Sequence, residues 1–269
     1  MPPLNWEPKG LLDPYERAAR LYPGLLVVMP ISILLICLYG SGHPWASTSV
    51  SVLAFCGAGY ALGRASRDAG KRIQEDLFLK WGGPPTTQLL RHRDLTFDPH
   101  TKARYHAVIS RGLKLTMPTP EEERANPAAA DELYRSATGW LIDQTRDAKA
   151  YPLVFKENIA YGFQRNSLGI RPSGIIVAVF CMAWVSIHAH IFGVSRPHIQ
   201  VDNMQAFSGN EVLALTVAAL TLIYWLGVVT KSAVKRTAFA YAERLIQSCD
   251  RISNPSTSRT PRRRTGSSP

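Results

Sequence analysis

The stretch LYPGLLVVMPISILLICLY, residues 21–39, is an uninterrupted apolar run. Three further runs of similar length follow at 45–62, 174–192 and 212–230. None of the four contains Asp, Glu, Lys or Arg. At about 1.5 Å per residue, each run is long enough to cross a hydrocarbon core roughly 30 Å thick. The sequence therefore predicts an all-α integral membrane protein with four transmembrane helices in two hairpins.

The mean hydropathy of -0.06 resembles that of a soluble protein, because a polar middle and tail dilute the four runs. Four runs of near-equal length, paired across short polar turns, favour membrane spans over buried core helices. The first run is not expected to be a signal peptide. Acidic and basic residues precede it, and no small-residue cleavage pattern follows it.

The stretch between the two hairpins has apolar residues at helical spacing, and strand alternation is not sustained in it. Thr119, Pro120 and Glu122 form the pattern of a capping box, which predicts a helix start. The predicted organisation is an interfacial segment at 1–20, the first hairpin at 21–62, a helical cytoplasmic domain at 63–173, the second hairpin at 174–230, a helix at 231–252 and a disordered basic tail at 253–269.

Basic residues are unevenly distributed along the chain, whose net charge is +11. Residues 63–172 hold 18 Lys/Arg against 13 Asp/Glu, and residues 231–269 hold 9 against 2. The turn at 40–44 has none, and 193–211 has only Arg196. Since Lys and Arg near span ends stay cytoplasmic, both termini and the insert are predicted to be cytoplasmic. The candidate residues for binding anionic lipid headgroups are Lys231, Lys235, Arg236, Arg262, Arg263 and Arg264.

The stretch WGGPPTTQLLRHRD, residues 81–94, places flexible glycines, hydroxyls and basic side chains in succession. Backbone N–H groups, hydroxyls and guanidinium groups all suit phosphate. The alternative interpretation is a helix-breaking loop followed by a solvated basic turn near anionic lipid. The stretch lacks the P-loop and kinase signatures. The candidate anion-binding residues are Thr86, Thr87, Arg91, His92 and Arg93.

A second distinctive stretch, KENIAYGFQRN at 156–166, directly precedes the third run. Its charged and aromatic residues four apart indicate a helix-face ladder beside an interfacial anchor. In a functional interpretation, Lys156 or Arg165 binds a cytoplasmic ligand or lipid headgroups. The Gly59–Gly63 pair suits helix packing within the chain or self-association into a homo-oligomer.

Metal, cofactor and catalytic sites are not expected. The four cysteines include no C-x-x-C pair, and His188 and His190 do not share a helix face. No run contains a charge of the kind that marks an ion path, which argues against a proton-coupled or ion-coupled transporter. The basic tail has no aromatic residue to stack on a base, so nucleic acid is not an expected partner.

Five stretches of the chain are distinctive as sequences: DPYERAARLYPGLL, KWGGPPTTQLLRHRD, TKARYH, PTPEEERANPAAADELY and FKENIAYGFQRNSLGIRP. Over residues 13–175 the chain resembles a family of uncharacterised four-span bacterial membrane proteins. The resemblance implies a bacterial inner-membrane location and a shared architecture. It implies no activity, and no functional residue is carried over from it.

Three functional hypotheses follow. The leading one is a membrane protein without enzymatic activity, a scaffold, sensor or effector whose cytoplasmic helical domain binds a protein partner or an anionic ligand. The second is a channel or transporter subunit gated by that domain. The third is a membrane enzyme acting on a phosphorylated or lipid-linked substrate through residues 86–94, although no nucleophile–base pair supports it.

Overall fold

The computed structural model describes residues 14–40, 44–189 and 207–253, and for residues 44–51, 53–56, 58 and 59 it describes the backbone only. The regular structure in these ranges is helical, and no strand occurs in them. The prediction of an all-α fold is therefore confirmed for this part of the chain. Most of the predicted interfacial segment and nearly all of the predicted tail lie outside it.

The chain enters its first helix through a π-helical segment, Glu16–Leu21, and leaves its last apolar helix through another, Tyr224–Val228. The α-helices, in chain order, are α1 (Tyr22–Tyr39), α2 (Pro44–Trp81), α3 (Pro85–Leu90), α4 (Pro99–Leu113), α5 (Pro120–Ala125), α6 (Pro127–Gln144), α7 (Pro152–His188), α8 (Gly209–Ile223), α9 (Lys231–Gln247) and α10 (Cys249–Ser253).

Three helical segments are long and apolar enough to span a membrane: Glu16–Tyr39, Pro152–His188 and Gly209–Val228. They contain the first and fourth runs almost completely and most of the third, and they indicate a membrane protein. The second run, residues 45–62, lies in α2, but most of its side chains are outside the described part of the chain. The fourth span and the hairpin arrangement therefore stay predictions.

Helices α3, α4, α5 and α6 begin with proline at their first position, where the missing N–H costs nothing. Asp98 accepts hydrogen bonds from two first-turn amides of α4, and Asn126 accepts one from α6. The predicted capping box is confirmed: Thr119 and Glu122 bond reciprocally, at 3.2 and 2.8 Å. These caps satisfy N–H groups that have no partner within the helix.

The chain forms two compact units. The first comprises the chain up to Lys80 together with Asn158–Ala238, and the second comprises Trp81–Glu157 together with the chain from Phe239. Helix α9 therefore contributes its second half to the unit built from the insert. The predicted domain map, in contrast, separates 231–252 from 63–173.

In the first unit, α2 and α7 approach closely at glycines. A Cβ atom added to Gly169 would lie 2.5 Å from the backbone nitrogen of Gly70. Gly162 lies against Ala19 and Tyr15, and Gly63 lies against the backbone of Arg20. Gly63 is therefore used for packing within the chain. The buried apolar residues of this unit form two clusters: Val27, Ile170, Trp225 and Val229, and Leu34, Cys181, Val185, Ala214 and Ala218.

The second unit has its own core. Leu89 and Leu90 of α3, Ile109 of α4 and Leu141 of α6 are almost fully buried. The C-terminal helices complete this core with Leu245, Ile246 and Cys249. Burying an aliphatic side chain of this size stabilises a fold by about 1.5–3 kcal/mol, which accounts for the place of the late helix beside the insert.

Candidate functional site

Arg91, a predicted anion-binding residue, is 8% exposed and forms a bidentate ion pair with Asp131. Its Nε and Nη2 atoms lie 2.8 and 2.7 Å from the two carboxylate oxygens. This geometry is the strongest that an arginine makes with a carboxylate. The charge of Arg91 is thus compensated inside the protein.

The other predicted anion-binding residues are divided between interior and surface. The backbone N–H of His92 donates to Glu123 at 2.7 Å, and its ring Nε2 lies 2.8 Å from the carbonyl oxygen of Pro118. Thr86 and Thr87 are buried, whereas Arg93 is exposed. The structure therefore leaves the guanidinium of Arg93 as the accessible cation of this predicted set.

Lys102 supports the turn that follows Arg91. Its side chain is 4% exposed, and its ammonium donates to the carbonyl oxygens of Arg91, at 2.6 Å, and Asp94. Burial lowers the pKa of Lys102, although the carboxylates of Asp94 and Glu123 oppose this shift. A buried ammonium with such partners fixes a loop conformation.

His106 and Tyr134 complete this cluster. The His106 ring lies 2.9 Å from the carbonyl oxygen of Leu90 and 4.9 Å from the His92 ring in a T-shaped contact. Burial lowers the pKa of His106 to about 4. Burial, and then a hydrogen bond donated to Glu123 at 2.7 Å, raises the pKa of Tyr134.

Glu123 accepts hydrogen bonds on the same oxygen from His92 and Tyr134. Burial raises the pKa of Glu123, but these hydrogen bonds outweigh burial and lower it overall. The cluster holds its polar groups in internal bonds, which is typical of a structural network. We call it the polar network: Arg91, His92, Lys102, His106, Glu123, Asp131 and Tyr134.

A cleft of about 300 Å³ opens elsewhere on the second unit. One wall is the first turn of α7, and the other is the end of α9 with α10. Its volume is at the lower end of the range for small-molecule sites, about 300–1,000 Å³. The lining residues are Tyr151, Pro152, Leu153, Val154, Arg244, Gln247, Ser248 and Arg251.

Two guanidinium groups give the cleft its charge. Arg251 lies over the Tyr151 ring, 5.3 Å from its centroid, and Arg244 donates to the Gln247 side chain at 2.8 Å. Neither arginine has an ion pair with a carboxylate in the described ranges. Of the adjacent acids, Asp250 pairs with Arg104 at 3.0 Å, and Glu243 accepts a hydrogen bond from Gln247 of the cleft wall. The cleft is therefore a cationic site with an apolar wall.

The sequence indicated part of this cleft. Arg244 and Arg251 are seven residues apart, which places them on one side of a continuing helical stretch. Their second wall comes from residues 151–154, about ninety positions earlier, and nothing local indicates that proximity. A search for basic residues near span ends therefore finds Lys231, Lys235 and Arg236 but misses these two arginines.

The predicted lipid-binding residues fall into two groups. Lys231, Lys235 and Arg236 are exposed on α9, whose Ala233 and Val234 are buried. A cationic face opposite a buried apolar face fits the prediction of contact with anionic headgroups. Arg262, Arg263 and Arg264 lie outside the described residues.

The stretch at 156–166 joins helices within the first unit. The Tyr161 hydroxyl and the Arg165 guanidinium both donate to the Gln74 side-chain oxygen of α2, at 2.9 and 2.7 Å. Arg165 also lies 5.5 Å from the Tyr161 ring centroid. The contact to Gln74 comes from 87 residues away and was not predicted from the ladder pattern.

Helix α7 also supplies donors to carbonyl oxygens that the two π-helical segments leave available. Asn166, which is fully buried, donates to the carbonyl oxygen of Ala19 at 2.7 Å. Arg171 donates to the carbonyl oxygens of Trp225 and Leu226, at 2.8 and 3.3 Å. Pro23, four residues after Ala19, has no N–H, so Asn166 supplies the donor that the Ala19 carbonyl lacks in an α-helical pattern. We call Asn166 and Arg171 the carbonyl donors.

His188 and Glu211 meet at the start of α8. Glu211 is 7% exposed, and its carboxylate lies 2.8 Å from Nδ1 of His188. Glu211 also closes a capping box with Ser208, accepting the Ser208 N–H at 2.8 Å. The predicted run 212–230 contains no charged residue, and Glu211 directly precedes it; the structural span Gly209–Val228 begins two residues before Glu211.

No group of three or more potential metal ligands occurs in the part of the chain that the structure describes. In comparisons with known proteins, no family model, curated protein or solved structure matches this chain. The cleft and the helices that line it are therefore the candidate functional site of this chain.

Proposed function

We propose that this chain is a non-enzymatic membrane sensor, whose helical unit binds an anionic ligand and whose second hairpin responds to it. The protein has four spans in the bacterial inner membrane, with both termini and the helical unit on the cytoplasmic side. Three apolar helices and the uneven distribution of Lys and Arg support this location and orientation. Lys231, Lys235 and Arg236 contact anionic lipid at the inner leaflet.

The observation that carries the proposal is the composition of the cleft walls. Residues 152–154 are the first turn of α7, which continues into a candidate span. Arg244 and Gln247 end α9, which follows the last span. A ligand in the cleft therefore touches the ends of the two helices that precede and follow the second hairpin. A ligand that binds one arrangement of these ends more tightly shifts the population towards it.

Ligand-dependent thermal unfolding of the full chain in detergent tests the binding step. We expect anionic ligands to raise the unfolding temperature of the wild type but not of an Arg244→Gln/Arg251→Gln variant. Arg135→Gln is the matched control, because Arg135 is an exposed arginine of the same unit in an i,i+3 pair with Glu132. Arg91→Ala is unsuitable here, since it leaves Asp131 without its partner.

Hydrogen exchange with and without the stabilising anion tests the response. We expect altered exchange in residues 174–188 and 209–228 of the wild type, and no alteration in the double variant. If the anion binds but hydrogen exchange in these spans does not change, the sensor role is contradicted, and the protein is a ligand-binding protein without that response.

A channel is the second candidate, and the pair formed by the buried Glu211 and the exposed His188 favours it. An ionisable residue inside a span marks a functional site by default. Conductance in liposomes that Glu211→Gln reduces, while Ser208→Ala does not, would support the channel. A cap role for Glu211 alone predicts that both variants weaken α8 and that neither alters a current.

A further inference from the structure

We infer that the cleft lined by α7, α9 and α10 takes a phosphate monoester in its dianionic form. This inference rests on the proposed function, since it names the class of anion that the sensor binds. It comes from the charge balance of the cleft, the geometry of its donors and the apolar character of its wall.

Charge balance selects a doubly charged group. Arg244 and Arg251 contribute two positive charges, and no acidic side chain is among the lining residues. The neighbouring Asp250 is held by Arg104 and by the Tyr105 hydroxyl, at 3.0 and 2.9 Å. A carboxylate or phosphate diester would neutralise one arginine only. A phosphate monoester carries a charge of about −1.5 to −2 at pH 7.

The donors of the cleft suit a tetrahedral oxyanion. Guanidinium groups bind two phosphate oxygens in a fork, which an ammonium does not do. The amides of Leu153 and Val154 belong to the first turn of a 37-residue helix, where N–H groups lack a partner within the helix. The positive end of the helix dipole adds to the charge of the two arginines at this wall.

The apolar wall selects an ester over inorganic phosphate. Leu153 is 59% exposed, and Pro152 and Val154 flank it. An organic group on the phosphate would cover this surface and gain about 25 cal/mol for each Å² removed from water. A cleft of about 300 Å³ leaves room for a group of modest size beside the phosphate.

Phenyl phosphate and phenyl sulfate are the matched probes, since both are tetrahedral esters and the sulfate carries a single charge. Binding to the full chain in detergent is measured by calorimetry at pH 8. We expect phenyl phosphate to bind at least about tenfold tighter, the size of one charge-assisted hydrogen bond. Arg244→Gln and Arg251→Gln should each weaken it by about tenfold or more, and Arg135→Gln should leave it unchanged.

The pH dependence gives a second readout. The second pKa of a phosphate monoester is about 6, so the preference for phosphate over sulfate should disappear as the pH falls from 8 to 5. The lining residues include no histidine, cysteine, aspartate or glutamate. Phenyl sulfate, whose charge is constant, corrects for any change in the protein itself.

Three results would overturn the inference in different ways. Equal affinity for the two esters, lost in both arginine variants, would refute the dianion and leave the anion sensor intact. If neither arginine variant alters the affinity for phenyl phosphate, both the dianion at this cleft and the anion sensor are refuted. Loss of phosphate binding in Arg93→Gln alone would place the ligand at the sequence-predicted stretch and not in the cleft.

Competition experiments with the protein in lipid nanodiscs distinguish a lipid phosphate monoester from a soluble one. Phosphatidic acid carries a phosphate monoester, whereas phosphatidylglycerol carries a diester. If phosphatidic acid competes with phenyl phosphate and phosphatidylglycerol does not, the ligand is a lipid headgroup. If neither lipid competes and adenosine monophosphate does, the ligand is a soluble ester. Competition by both lipids to the same extent would contradict selection for the dianion.

Discussion

The polar network of the second unit and the carbonyl donors of the first unit use similar side chains for different purposes. In the polar network, Arg91 pairs with Asp131, and the acidic and basic groups compensate one another inside an apolar core. In the first unit, Asn166 and Arg171 donate to backbone carbonyls of π-helical segments. The difference indicates that one unit is held by charge pairing and the other by repair of helix backbones and close glycine contacts.

The largest effect is expected from breaking the Arg91–Asp131 pair. Arg91→Ala should lower the free energy of unfolding by about 3 kcal/mol, since it removes a buried guanidinium and leaves the partly buried Asp131 carboxylate without its partner. The exposed pair Arg146–Asp143, whose atoms are also 2.8 Å apart, is the matched control. Arg146→Ala should cost less than about 1 kcal/mol.

Urea unfolding of the full chain in detergent measures both variants. A double-mutant cycle of Arg91→Ala with Asp131→Ala isolates the coupling between the two side chains. A coupling as small as that of the Arg146–Asp143 pair would contradict charge pairing as the main support of the polar network.

The glycine contact between α2 and α7 should give the next largest effect. Gly169→Val forces branched atoms against the backbone of Gly70 and should cost about 2–3 kcal/mol. Gly139 of α6 is the control, because a Cβ atom there meets nothing within 4 Å. Gly139→Ala should stabilise the protein by up to about 1 kcal/mol through helix propensity. A tolerated Gly169→Val would show that the two helices separate easily.

Local features of this fold were predictable, and long-range ones were not. The end of α2 at Trp81 follows from the glycines after it, since Gly82 and Gly83 adopt positive φ angles of 88° and 124°. The capping box at Thr119 is likewise encoded within four residues. The anion-binding prediction used only local chemistry, which cannot show that Arg91 has a partner forty residues away.

The cleft was missed for the same reason. Its walls come from residues 151–154 and 244–251. Leu245 and Ile246 pack into the core of the second unit, and this packing positions the wall formed by residues 244–251. Hydrophobic spacing predicted a helix at 231–252 but not its neighbours. Charge distribution alone therefore assigned the basic residues of this helix to the membrane surface.

The polar network should make stability depend on pH through His106. Its pKa is about 4 in the folded protein and about 6.5 in an unfolded chain, so the unfolded state binds more protons between these values. Stability is therefore fully present above pH 6.5 and is lost as the pH falls towards 4. We expect a loss of about 2 kcal/mol between pH 7 and pH 5.

Urea unfolding at several pH values measures this slope, with His106→Gln as the variant that removes the titrating group. His92, Lys102, Glu123 and Tyr134 face the same ring or lie close enough to act on it, and they remain in the variant. If the free energy of unfolding depends on pH as steeply in His106→Gln as in the wild type, another member of the polar network causes the pH dependence.

The smallest effect is expected at Asn166, a carbonyl donor, and it tests whether the first unit depends on backbone contacts or on charge. Asn166→Asp keeps the acceptor that Arg165 uses, at 3.0 and 3.1 Å, but removes the N–H that reaches Ala19. The loss should be at least about 1–2 kcal/mol, the cost of leaving a buried carbonyl without a donor, because the new carboxylate also places an oxygen against the Ala19 carbonyl oxygen. Asn166→Ala removes both contacts, and comparison of the two variants separates the carbonyl contact from the arginine contact.

Hydrogen exchange of residues 16–24 should rise equally in both variants. In the π-helical segment the Tyr22 N–H bonds to the carbonyl of Arg17, and the carbonyl of Ala19 depends on Asn166 for its donor. If exchange rises only in Asn166→Ala, the segment is held through Arg165, and the first unit depends on charge as the second does.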